Sequence, residues 1–415
     1  MQNLKRHGLA ALLLLTLLVS SASAQPAAER AAKAGEIFQI KGFRGLRLFG
    51  AAVKERGFAH GFLLAEDILA DLVAALQSLP LFNARQYEQL LPWANERFAW
   101  DSAAIAELDG MFEGMSAKLG ATGLSVKALG REFTRQDLNA LNVLADYFGP
   151  ACSGFSVWNT RTTESEVLHA RTLDFPIGPQ AIKDQIIVVS EAITGDQPLR
   201  AWVAVGWPGL IVQYTAMNAD GLVVCLHDGY NTQKAGSVAD SFYPRGLLLR
   251  RILEQMDLSV SDPAQQIAQM INTKHAACGN LFHISWPKAA AEKSKLAPSV
   301  VLEFDSTNSM LNIRRMDDSD ALVVTNHFLL RCPPLKCDRF EKMTAGLTIL
   351  KTSGRIIGLS EARKVLMAAE KSVAAHSVYF FPDTRKLHIA LTKDNVMSPR
   401  VPPTEFTLKE LFQQK

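Results

Sequence analysis

At 415 residues, with 48% hydrophobic and 20% charged residues, the chain can bury a core for one large domain or two. Its net charge of +3 includes Lys5 and Arg6 near the N-terminus, and no basic stripe follows, which argues against a nucleic-acid partner. His-Glu-x-x-His, Cys-x-x-Cys, a Gly-rich phosphate loop and a Gly-x-Ser-x-Gly elbow are all missing from the sequence, so neither a metal nor a nucleotide cofactor is indicated.

Residues 1–24 read as a secretory signal peptide. Lys5 and Arg6 precede an apolar run over 9–19, and Ala22-Ser23-Ala24 offers a small-residue cleavage site before Gln25. The run is too short for a comfortable membrane span, so the expected destination is periplasmic or secreted. Residues 25–33 are Ala-rich and read as a flexible leader. Apolar spacing then predicts helices over 63–79, 105–119 and 138–148, the last stopped by Gly149-Pro150. The segment 25–151 is therefore expected to be mostly helical, with His60 structural.

From Cys152 the pattern changes. Phe155, Val157 and Trp158 are apolar, 159–165 is a polar break, and 167–173 resumes an extended pattern, which together read as a β-hairpin. A turn centred near 162 places Cys152 opposite about position 172. Arg171 and Asp174 then come close to the sulfur. Strand-like runs follow at 186–193, 201–205, 210–215 and 221–226, and helical patterns at 246–256 and 263–274. Asp262 before Pro263 is a good N-cap with Pro at the first helical position. Further strands fit 280–285, 299–304, 310–314 and 321–324, then a helix from Ser360 to about Ala375 and a late hairpin of 377–381 and 387–391. Sheets with helices packed outside, an α+β class, fit this order.

Five cysteines is an odd count for an exported protein, which leaves a thiol over. Cys225 sits in an apolar strand and reads as inert, while Cys332 and Cys337 have the spacing of a small disulfide loop. Cys152 is the one placed for chemistry. Its thiol needs a base, and an α-amine of the same residue can serve if the chain is cut between Ala151 and Cys152.

Cys152 followed by a hairpin ending in Arg171-x-x-Asp174-Phe175 resembles the N-terminal-nucleophile cysteine hydrolases. These include penicillin acyl-coenzyme A:isopenicillin N acyltransferase, bile salt hydrolase and acid ceramidase, and the chain is most similar to the acyltransferase-like, self-processing branch. The resemblance implies a four-layer αββα sandwich over 152–415, preceded by the helical segment 25–151, which is cut away from Cys152 yet stays associated as a partner. It implies Cys152 as nucleophile, Arg171 and Asp174 as holders of amine and substrate, and Asn280 as an oxyanion donor. Thr325-Asn326-His327-Phe328 and Arg339 also resemble positions of that branch, and Arg339 is preferred to Asn326 as a support for the nucleophile. Asn218 reads as a turn residue in Asn-Ala-Asp-Gly. Where bile salt hydrolases place a second oxyanion Asn, this chain has His227-Asp228.

The expected activity is hydrolysis of a small-molecule N-acyl amide through an acyl thioester on Cys152. The alternatives are transfer of the acyl group to an amine, a papain-like thiol hydrolase using His283 or His327, and an inactive exported binding protein. The sequence leaves a homo-oligomer open.

Overall fold

A computed structural model describes residues 25–78, 83–149, 151–175, 178–230, 241–306, 311–315, 320–331, 335–371 and 373–412. The expected signal peptide, Pro150 and Cys332 lie outside the described residues. No described helix is long and apolar enough to cross a membrane.

The segment before Cys152 is mostly helical, with two departures from expectation. Residues 25–32 form a helix, α1, rather than a flexible leader; Ala31 is fully buried and Arg30 pairs with Glu55 at 2.9 Å. Next come two strands, β1 (Gly35–Ile40) and β2 (Phe43–Leu48), where no strand was read. The helices are α2 (Val53–Leu63), α3 (Ala65–Ser78), α4 (Ala84–Glu96) and α5 (Ser102–Gly123). A small hairpin, β3 (Ser125–Val126) and β4 (Arg131–Glu132), leads to α6 (Arg135–Asn142) and α7 (Leu144–Tyr147). Helices α2 and α5 cross almost backbone to backbone. A Cβ on Gly61 would stand 1.9 Å from the Met111 carbonyl, so only glycine permits the approach.

The hairpin predicted at Cys152 is β5 (Ala151–Val157) and β6 (Leu168–Asp174). A short helix, α8 (Gly178–Lys183), precedes β7 (Ile186–Ser190), β8 (Trp202–Gly206), β9 (Thr215–Asn218) and β10 (Val223–Asp228). Then follow α9 (Arg245–Gln255), α10 (Pro263–Asn272), β11 (Asn280–Ser285), α11 (Lys288–Ser294), β12 (Ser299–Phe304), β13 (Asn312–Arg314) and β14 (Ala321–Val324). Then come α12 (Asp338–Thr352), α13 (Leu359–Ala368), β15 (Ala374–Phe381), β16 (Lys386–Leu391), β17 (Thr404–Thr407) and a last short helix, α14 (Leu408–Phe412). The helix expected to reach 375 thus stops at Ala368, and the strand expected at 210–215 begins only at Thr215.

Two sheets result. One runs β1-β2-β7-β8-β9-β10-β11-β12-β13 and the other β14-β5-β6-β15-β16-β17. The period-two alternation of strand side chains sorts the core into layers. Ile187, Val189, Val203 and Cys225 of the first sheet meet Val378, Phe380 and Ile389 of the second. From the opposite face of the first sheet, Val188, Ala204, Val224 and Leu226 pack on the upstream helices and on α9 and α10. On the outer face of the second, Phe155, Val157 and Ala170 pack on Met343, Leu347, Val365 and Leu366 of α12 and α13. The layer order is helix, sheet, sheet, helix. Each Val, Leu, Ile, Phe or Met side chain in these layers contributes about 1.5–3 kcal/mol on leaving water.

The upstream segment is built into this sandwich. β2 pairs in parallel with β7, so the first two strands of the larger sheet come from it. Asn142 on α6 accepts from the Ile211 N–H at 2.8 Å and donates to the Gly209 carbonyl at 2.9 Å. His60 Nε2 accepts from the Gly209 N–H at 3.0 Å, a structural role.

Candidate active site

Strand pairing sets the site. In the β5–β6 ladder Cys152 lies opposite Leu173, one residue from the expected register, and Ala151 opposite Asp174. The side chains of Cys152 and Ser156 point between the sheets, toward Leu226 and toward His283 and Ser299. Cys152 is fully buried, and its Sγ donates to the Leu226 carbonyl of β10 at 3.3 Å. Arg171, also fully buried, crosses the same gap. Its Nη1 donates to the Tyr214 carbonyl at 2.6 Å and to the Thr215 hydroxyl, and its Nη2 to the Leu226 carbonyl at 3.1 Å and to Cys152 Sγ at 2.9 Å.

The backbone of Cys152 is held from the other side. β14 pairs with β5 so that Val324 faces Gly154; two residues further on, Asn326 draws level with Cys152. Asn326 Oδ1 accepts from the Cys152 N–H at 2.8 Å, and Asn326 Nδ2 donates to the Asp228 carbonyl at 3.0 Å. Arg339, in the first turn of α12, donates from Nη1 to the Cys152 carbonyl at 2.5 Å and to the Ser153 hydroxyl at 3.1 Å, and from Nη2 to Asn326 Oδ1 at 2.6 Å. The same Nη1 lies 3.4 Å from Asp174 Oδ2, while Asp174 Oδ1 is buried without a partner among the described residues. The structure thus brings Ala151, Cys152, Arg171, Asp174 and Arg339 into one cluster, with Asn326 at its centre.

Asn280 joins through a neighbour. It opens β11 opposite Asp228 of β10, its Nδ2 donates to the Cys278 carbonyl at 2.7 Å, and its Oδ1 accepts from Arg245 Nη1 at 3.3 Å. Arg245 also binds the Asp228 carboxylate. Asp228 in turn packs on the Gly149 backbone, where a Cβ would stand 1.6 Å from its Oδ2, so any larger residue three positions ahead of Cys152 would have to displace the Asp228 carboxylate. Sequence reasoning ranked Asn326 below Arg339 and did not single out Arg245; the structure bonds Asn326 to both Cys152 and Arg339, and Arg245 to Asn280. The Thr-Asn-His-Phe stretch after a strand was a usable signal for the first. The partners of Arg245 are too scattered along the chain for any spacing to show it. Asn218 accepts from the Asp220 and Leu222 N–H groups at 3.0 and 2.9 Å and closes the β9–β10 turn.

Burial sets the titration of these groups. It pushes the Cys152 thiol up to about 11, with Arg171 pulling it part of the way back. Burial also pushes the Asp174 carboxyl up to about 7 against the pull of Arg339 and Arg171. The imidazoles nearby are poor bases. His283 Nε2 is bonded to Ser156 at 2.9 Å and its ring stacks on His169 at 3.8 Å; burial holds His169 down at about 3 and His283 well below its ordinary value. His327 Nδ1 is bonded to the Thr325 hydroxyl at 2.9 Å. His283 is thus committed to Ser156, and His327 to Thr325 and the Cys337 thiol.

No family model matches the chain, and no curated protein matches it. Solved structures do. An N-acylethanolamine-hydrolyzing acid amidase ortholog from Caenorhabditis elegans aligns with 62% of this chain and 100% of its own, at 14% identity and a TM-score of 0.41. A variant of conjugated bile acid hydrolase from Clostridium perfringens aligns with 62% of this chain and 93% of its own, at 13% identity and a TM-score of 0.39. Penicillin V acylase from Agrobacterium tumefaciens aligns with 58% of this chain and 83% of its own, at 11% identity and a TM-score of 0.36. Likeness of this degree decides nothing about activity, which has to be argued from the side chains.

Proposed function

We propose that the chain is an exported, self-processing cysteine amidohydrolase that cleaves a small-molecule N-acyl amide. The observation that carries this reading is that three atoms of one residue are gripped by side chains: Cys152 N by Asn326, Cys152 O by Arg339 and Cys152 Sγ by Arg171. A core cysteine needs none of these. A nucleophile whose backbone nitrogen must become a base needs all of them, and Asn326 Oδ1 already waits at that nitrogen.

Processing comes first. The sulfur attacks the Ala151 carbonyl, a C–S bond replaces the C–N bond, and the thiol proton passes to the leaving nitrogen, which becomes the α-amine. Water then hydrolyses the thioester, leaving a carboxylate on Ala151 and a free thiol on Cys152. In turnover the α-amine takes the thiol proton and the thiolate attacks the substrate carbonyl. The oxyanion is met by the Asn280 amide, a role worth about 3 kcal/mol in comparable sites. The proton moves on to the leaving amine, and water, deprotonated by the α-amine, releases the acid. Asp174 and Asn326 hold the amine, and Arg171 favours the thiolate. The names of the acid amidase and the penicillin acylase above are in keeping with this chemistry.

Intact mass tests the reading. The exported wild type should give two associated pieces, 25–151 and 152–415, and should release nitroaniline from N-octanoyl para-nitroanilide. Cys152→Ala should give one inactive chain. Adding a primary amine separates hydrolysis from acyl transfer by its product. A wild type that stays uncut yet hydrolyses the amide would overturn the α-amine mechanism.

A further inference from the structure

Arg245, the first residue of α9, is 1% exposed and belongs to none of the motifs above. Its guanidinium joins two parts of the chain. On the upstream side Nη2 donates to the Ala145 carbonyl, while Asp146 Oδ1 accepts from the Arg245 backbone N–H at 3.3 Å and lies 3.8 Å from Nε. On the other side Nη1 donates to the Asp228 carboxylate, to the Gly279 carbonyl at 3.3 Å and to Asn280 Oδ1 at 3.3 Å.

A guanidinium has donors only, so the Asn280 atom that faces it must be the oxygen. The amide nitrogen is then turned away, with one N–H on the Cys278 carbonyl at 2.7 Å and its second N–H without an acceptor among the described residues. The Cys278 carbonyl, which only accepts, and the Arg245 guanidinium, which only donates, hold the amide from its two ends, so a flip would set oxygen against oxygen and N–H against N–H. With Arg245 in place the free N–H has one direction. The buried carboxylates of Asp146 and Asp228 flank the guanidinium, so its own position is set partly by residues upstream of Ala151.

We propose that Arg245 is a positioning residue for the reaction: it locks the Asn280 amide as a donor, and it takes its own place from the upstream segment, which thereby remains a working part of the site after the cut. This rests on the amidohydrolase reading and adds to it the means by which the oxyanion side is held.

The test is a double-mutant cycle on the processed enzyme with the para-nitroanilide, comparing Arg245→Lys, Asn280→Ala and the pair. Lysine keeps the charge and loses the planar fork. Arg245→Lys should lower kcat about tenfold or more with KM changed less than about threefold, and should cost less than about twofold in the Asn280→Ala background. A purely structural role would instead give the same loss in both backgrounds, and that result overturns the proposal, as does unchanged kcat in folded Arg245→Lys. If Arg245→Lys does not fold, Asp146→Asn takes its place in the same cycle. It removes the upstream charge and keeps an oxygen for the Arg245 N–H, so wild-type kcat there also overturns the proposal. A wild type that neither cuts nor hydrolyses the amide refutes the amidohydrolase reading itself, a result distinct from an active wild type with an indifferent Arg245.

Discussion

The rate of self-cleavage should follow the ionisation of Cys152. Before the cut the Cys152 nitrogen is an amide and cannot act as base, so the attacking thiolate comes from the thiol alone. Burial pushes that thiol up to about 11. At pH 7 about one chain in 10,000 then carries thiolate, and at pH 9 about one in 100. Cleavage should therefore quicken about tenfold per pH unit across this range, about 100-fold in all. Arg171 donates to the sulfur at 2.9 Å, so Arg171→Met removes the charge that favours the thiolate. A loss of one pKa unit of that help slows cleavage about tenfold at each pH. The assay starts from denatured chain refolded in acid, shifted to a series of buffers, with the new Cys152 terminus followed by gel and intact mass. A rate that is flat between about pH 6 and pH 9 would refute thiolate attack from this buried site, and cutting in Cys152→Ala would refute the residue itself.

Three further outcomes are expected. Asn280→Ala should lower turnover about 100-fold or more while leaving KM nearly unchanged, and wild-type turnover in a folded variant removes Asn280 from the site. Burial, with help from Arg250, pushes His60 down to about 3 from 6.5. The unfolded chain therefore binds a proton that the folded one refuses, so this group's stability is present above pH 6.5 and is lost as pH falls toward about 3. In the uncut Cys152→Ala background, the urea unfolding free energy should drop relative to a His60→Gln variant by about 1.4 kcal/mol per pH unit in that window; parallel profiles contradict it. Gly61→Ala should destabilise the same background by about 1–3 kcal/mol or more by forcing α2 and α5 apart, read as a lower urea midpoint, and an unchanged midpoint counts against the crossing.

What the sequence made legible was whatever local pattern dictates. The β5–β6 hairpin came out within one residue of its register because period-two alternation and a polar break leave few choices. Helix α10 came out because an amphipathic stripe follows a capped Asp262-Pro263 start; the Asp262 side chain accepts from the Gln265 N–H at 3.0 Å. β1 and β2 were missed because their charge obscures them. Arg47 lies in β2 yet is buried, donating to the Leu411 carbonyl at 2.9 Å, a partner 364 residues away. Helix α12 was missed because it buries few side chains, chiefly Met343 and Leu347. At the site, Cys152, Arg171 and Asp174 were readable together because one hairpin carries them. Asn326, Arg339 and Arg245 arrive from distant stretches, and their convergence is a property of sheet order.

The strands that the upstream segment lends to the larger sheet change what unfolding means. In the uncut chain β2 finds β7 along a single tether, and refolding is a one-molecule event whatever the dilution. If the bond before Cys152 is cut as proposed, the same pairing must be made between two molecules, so recovery depends on concentration and competes with every other use of the bared β7 edge. Protein denatured before processing should return to its fold on dilution, whereas processed protein should mostly be lost as aggregate. On the proposed self-cleavage, the fold would be assembled once, as a single chain, and would then persist because its pieces have no easy way apart.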